Sequence, residues 1–269
     1  MAISLTNVRR GVDLKPPRIL LYGPHGIGKT TFGAGAPAPI LIPLEDGAGA
    51  LDMPRFPLLT SYSQVLEALN SLGSEEHPYQ TVVVDSLDWL EPMVWAEACR
   101  RKNWKDIEEP GYGKGYIVVN DVWREFFTFL QALRDYKSMQ VILLAHCEIK
   151  AFQDPNSDPY DRYQIKLHKG ASGIAQEWAD AILFANFKSY VQKSKGAFNK
   201  ETTRGVGIGE RVMFSEERPA HYAKNRYALP YEMPLGYSHF AAGLARLMQP
   251  APAAVQTTVS VPVSEPAAA

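Results

Sequence analysis

Two apolar rhythms alternate along the chain. Runs that are apolar at nearly every position occur at residues 18–22, 40–44, 81–85, 140–145 and 181–185. Such runs predict strands covered on both faces, as in the middle of a parallel sheet. Between them, Val65, Leu66, Leu69 and Leu72 fall at helical spacing within 63–72, and residues 29–35, 87–104, 116–137 and 237–248 also read as helices. Strands alternating with helices predict an α/β fold: a mostly parallel central sheet flanked by helices. Residues 149–170, rich in Asp and Pro, predict a loop, 188–204 an exposed hairpin or arm, and 210–229 short strands. The domain reading is a polar lead-in over 1–16, a core over 17–248 and a Pro/Ala-rich tail over 249–269, disordered by composition.

The first strand run leads into Gly23-Pro24-His25-Gly26-Ile27-Gly28-Lys29-Thr30, followed by Thr31. This is the complete G-x-x-x-x-G-K-[ST] pattern of a phosphate-binding loop, set between a strand and a helix. Glycines there let backbone N–H groups converge on phosphate oxygens, and the start of the following helix adds partial positive charge. Lys29 is placed to reach the β- and γ-phosphates of ATP, and the Thr30 hydroxyl to ligate Mg²⁺. Asp85 closes the most β-branched strand run and is the second Mg²⁺ partner such a loop requires. The residue after it is Ser86, not an acid, so a water-activating carboxylate must come from elsewhere. Asp88, Glu91 and Glu45 are the acids at hand, and Glu45 follows a neighbouring strand run whose end meets the same sheet edge. His146 ends the next run, where a polar side chain can bond the γ-phosphate and report it to the following loop.

Composition narrows the partners. A net charge of −1 provides no global field toward nucleic acid or membrane, so such binding must use local patches. The two cysteines, Cys99 and Cys147, lack metal-ligand spacing and read as reduced thiols of a cytoplasmic protein. No secretory leader and no membrane-length apolar run is seen, so no membrane is expected.

Taken together, these blocks resemble the RecA family of recombinases, and in particular the short, single-domain RecA-like proteins of phages that act as single-strand-annealing recombinases. The likeness covers roughly residues 15–235. Residues 23–31 look like its Walker A loop, and Val82-Val-Val-Asp85-Ser86 like its Walker B strand. Ile42-Pro-Leu-Glu45 looks like the segment carrying its catalytic glutamate. Val141 to His146 looks like its sensor strand, with His146 a departure from the family's Gln. Tyr222-Ala-Lys224-Asn-Arg226 is similar to the segment that supplies basic fingers to a neighbouring subunit's γ-phosphate. On a strand, Lys224 and Arg226 share a face, and two cations there can stabilise charge on a transferring phosphoryl group. The resemblance implies an ATPase acting as a homo-oligomer, ring or filament, on single-stranded DNA, with a single-strand-binding protein as a further candidate partner. For a phage protein that place is the host cytoplasm.

Two loops would face the DNA. The first, near residues 109–116, carries Tyr112 and Tyr116 for stacking and Lys114 for a phosphate. The second, near 149–169, carries Lys150, Arg162, Lys166 and Lys169, nearly balanced by Asp154, Asp158 and Asp161. The basic, aromatic stretch 188–204 is an alternative single-strand surface. Rival readings on the same core are a small-molecule kinase, a nucleotide-binding module without turnover, and a helicase-type motor.

Overall fold

A computed structural model describes residues 4–8, 15–47, 49–155, 157–195 and 201–247, with the backbone alone for residues 6, 189–195 and 201–208. The 249–269 segment read as a tail lies outside the described residues, as does much of the 1–16 lead-in.

The five apolar runs become parallel strands: β1 (Arg18–Gly23), β2 (Pro39–Pro43), β3 (Thr81–Asp85), β4 (Gln140–Phe152) and β6 (Ala181–Lys195), adjacent in the order β2-β3-β4-β1-β6. The antiparallel β7 (Glu201–Phe214) and then β9 (Glu232–Pro234) extend the sheet beyond β6. Because side chains alternate along a strand, each run feeds two cores. Leu20, Tyr22, Val82 and Val84 pack on one face with α2 (Tyr62–Ser74), α3 (Leu87–Lys102), α4 (Lys114–Tyr136) and α5 (Lys169–Trp178). Ile19, Leu21, Val83 and Leu144 pack on the other with α1 (Lys29–Ala34) and α6 (Tyr237–Leu247). Among the described residues no helix is long and apolar enough to cross a membrane.

Two stretches differ from the sequence reading. β4 does not stop at Ala145 but runs on to Phe152 and forms a hairpin with β5 (Tyr160–Ile165), where a loop was expected. Past Cys147 this strand pairs only with β5 and is half in solvent, so its residues lack the apolar run that marks the rest. Helix α5 was also hidden, because its sequence KGASGIAQEW holds two glycines and buries only Ala171 and Ala175. The 188–204 stretch does contain a hairpin, formed by β6 and β7.

Candidate functional site

Strand order brings the chemistry together. β4 lies between β1 and β3, so the phosphate loop after β1 and Asp85 at the end of β3 flank His146, which is level with Gly23. β2 pairs with β3 through Pro43 opposite Asp85, and the Leu44 N–H donates to the Asp85 carbonyl at 2.7 Å, which sets Glu45 beside Asp85. The loop itself needs its glycines. A Cβ on Gly23 would lie 2.3 Å from the Ala185 carbonyl oxygen, and Gly28 sits at φ 110°, in the left-handed region.

The resulting cleft is about 380 Å³. His25, Gly26, Gly28, Lys29, Thr30 and Thr31 form its floor, Glu45, Asp46 and Gly47 one wall, and His146 and Arg211 close it. The Lys29 ammonium is buried and donates to the carbonyls of Gly23 (3.2 Å) and Pro24 (3.0 Å). Ile27 contributes its backbone only, its side chain being fully buried in the core. Burial pulls the Lys29 amine below its ordinary pKa, against the opposing pull of Asp85 and Glu45.

Asp85 is the most stressed group here. Its Oδ2 accepts from the Thr30 hydroxyl at 2.7 Å, whereas its buried Oδ1 has no hydrogen-bond partner among the described residues. Burial raises the Asp85 pKa, with Thr30 and Lys29 only partly offsetting it. The Glu45 pKa is raised by burial and then by the Asp85 charge. Two adjacent carboxylates cannot satisfy each other while both are ionised. A hydroxyl, a donorless buried carboxylate oxygen and a second carboxyl are the hard oxygen donors that Mg²⁺ takes alongside phosphate and water. The residues therefore fit that ion, with Thr30 and Asp85 as its holders.

A second polar group adjoins the first. The His146 ring stacks on His25 with centroids 3.7 Å apart, and its Nδ1 lies 2.9 Å from Asp88 Oδ2. Asp88 Oδ1 also accepts from the His146 backbone N–H and the Ser86 hydroxyl. Burial pushes the Asp88 carboxyl up, but these donors outweigh it and hold the pKa at about 2. An ionised Asp88 only accepts, so Nδ1 carries the imidazole proton and Nε2 is the ring's remaining polar atom.

The structure keeps other expected residues apart from this cleft. Lys224 and Arg226 lie by the start of β6, opposite the strand ends that carry the phosphate loop. Lys224 donates to the last carbonyls of α5, and Arg226 pairs with Asp180 at 3.1 Å. Neither reaches the phosphate loop of its own chain.

Among the residues expected on DNA, Tyr112 is fully exposed and Lys114 and Lys169 are exposed, while Lys150 is exposed but paired with Glu148 and Lys166 is exposed but paired with Asp88 at 3.9 Å. Tyr116 is not a free platform, because its ring stacks on His168 at 4.1 Å and its hydroxyl donates to Glu108. Arg162 must be corrected. It is buried, pairs with Glu217 at 2.6 Å and lies over the Phe152 ring, so its cation is spent inside the fold. In the 188–204 stretch, the side chains of Tyr190, Lys193, Lys195 and Arg204 and residues Phe198 and Lys200 lie outside the described residues.

Sequence reasoning missed Arg211. It lies on β7, far from every motif, and only the pairing of β7 with β6 brings it to the phosphate loop.

The SPbeta prophage-derived uncharacterized protein YorG of Bacillus subtilis (strain 168) is 23% identical over 196 residues, which cover 66% of this chain. The chain spans 58% of the length of that curated relative. A family model described as an AAA domain matches residues 15–227, from the residues before β1 to just past Arg226. With the phosphate loop, Asp85 and the parallel sheet in place, the chain belongs to this AAA domain family of P-loop ATPases.

Proposed function

We propose that the protein is an ATP-dependent single-stranded DNA-binding recombinase of the RecA-like annealing type, hydrolysing ATP at the subunit interfaces of a ring or filament. The observation that carries the ATPase part is the convergence of Glu45 just past β2, Asp85 at the end of β3 and His146 within β4 on one phosphate loop. Bound Mg²⁺ supplies charge that screens the β- and γ-phosphates. Lys29 neutralises the same phosphates, and Glu45 takes a proton from the attacking water. His146 senses the γ-phosphate end of the cleft through Nε2, while Asp88 fixes the ring.

The DNA part rests on how the sensor strand continues. Immediately after His146, β4 enters the β4–β5 hairpin, and Lys166 at its far side lies 3.9 Å from Asp88. At the next corner the His168 N–H donates to Glu91 and its ring stacks on Tyr116, next to the loop that exposes Tyr112. A shift of His146 is thereby passed to both candidate DNA loops through direct contacts. Lys224 and Arg226 act, in this reading, on a neighbour's phosphate. The prophage relative agrees with a phage role.

The test is anisotropy of a labelled single-stranded oligonucleotide with Mg²⁺, with and without a slowly hydrolysed ATP analogue. Binding that needs the analogue and is lost in Lys29→Ala supports the reading. Absence of binding in every nucleotide state contradicts it.

A further inference from the structure

Among the described residues, Arg211 is the one Lys or Arg outside the motifs that lines the phosphate-loop cleft. One of its guanidinium nitrogens lies 3.2 Å from where a Cβ on Gly28 would stand, so it touches the turn just before Lys29, Thr30 and Thr31. Its backbone is held from both sides. It pairs with Phe187 across the β6–β7 ladder, and its carbonyl accepts from the Leu235 N–H at 2.9 Å. The guanidinium lies over the exposed Phe187 ring, 6.0 Å from its centroid. Among the described residues no carboxylate pairs with it, although the structure pairs Arg18, Arg101, Arg162 and Arg226 with acids. A fixed planar cation on the wall of a phosphate cleft, with its charge uncommitted, has the chemistry of a phosphate clamp.

Its place along the loop says which phosphates. Loop N–H groups cradle the α- and β-phosphates, and the loop lysine reaches β and γ. His146, stacked on His25, marks the early part of the loop, whereas Arg211 stands at Gly28, beside the Thr30–Thr31 end. We infer that Arg211 binds the α/β-phosphate end of a nucleoside di- or triphosphate in the same chain, as a binding residue that does not discriminate between the two. This rests on the nucleotide reading of the cleft.

The experiment is titration of the full-length wild type, Arg211→Ala and Arg211→Lys with fluorescent ATP and ADP analogues in Mg²⁺, with melting temperatures measured without nucleotide. The expected result is a rise in Kd of about tenfold for both nucleotides in Arg211→Ala, partial recovery in Arg211→Lys and an unchanged nucleotide-free Tm. An arginine that merely held the β6–β7 ladder would lower Tm instead. Wild-type affinity in Arg211→Ala, or a loss confined to ATP, overturns the assignment and leaves the nucleotide reading standing. A wild type that binds neither nucleotide overturns both.

Discussion

Two aspartates, Asp85 and Asp180, are buried at opposite ends of the same sheet, and the fold treats them in opposite ways. Asp180 is ringed by donors: Arg18 reaches it at 2.6 and 3.0 Å, Arg226 at 3.1 Å and Arg134 at 3.4 Å. Burial would raise its pKa, yet Arg18 and Arg134 bring it below the ordinary value. Asp85 has one hydroxyl donor, a carboxyl neighbour, a donorless oxygen and a raised pKa. One buried charge is balanced within the chain and serves the fold. The other is compensated only in part, by Thr30 and Lys29, as is expected where a cation and a polyphosphate complete the set.

The largest effect should come from breaking the balanced end. Asp180→Ala leaves three arginines facing one another and should cost about 3–5 kcal/mol in urea unfolding. Asp85→Asn should act with the opposite sign. It relieves the repulsion with Glu45 and should gain about 1 kcal/mol without nucleotide, while Mg²⁺-dependent ATP hydrolysis is lost. Equal destabilisation by both variants would erase the contrast.

Smaller, but more specific, is the pH dependence. Asp180 has a lowered folded pKa, so its contribution is present above the ordinary value of 3.8 and is lost as pH falls through the folded value. Asp85 has a raised folded pKa, so the wild type loses stability as pH rises from 3.8 through that value. The advantage of Asp85→Asn should therefore grow with pH and vanish in acid, whereas the deficit of Asp180→Asn should shrink in acid. Urea titrations carried from acid to neutral pH read the two slopes. A change of the same sign as at Asp85 is expected at Glu91, whose pKa burial pushes up to about 7. Glu91→Gln should become progressively more favourable as pH rises from 4.5 toward 7.

The balanced end was poorly legible in the sequence and the partly compensated end was well marked. Gly23 to Thr30 is a contiguous motif, and Asp85 closes an apolar run, so local pattern alone placed both at the same sheet edge. Glu45 and His146 followed from where their strand runs stop. The Asp180 cluster joins residues from 18, 134, 180 and 226, contacts that no spacing reveals. The same long-range pairing hid Arg211 and turned Arg162 inward, since a basic residue in a polar stretch reads as exposed until its strand partner is known. Lys224 and Arg226 were taken to share a strand face, but β8 covers only Lys224–Asn225, and the two side chains go to different partners.

The claim that the cleft is a Mg²⁺–ATP site in which Glu45 serves chemistry and not binding is tested most directly by Glu45→Gln, with ATP affinity and hydrolysis measured on one preparation. The account predicts near wild-type binding of Mg²⁺–ATP and a fall in turnover of about 10²–10⁴-fold. Turnover at the wild-type rate, or loss of ATP binding together with turnover, would contradict it.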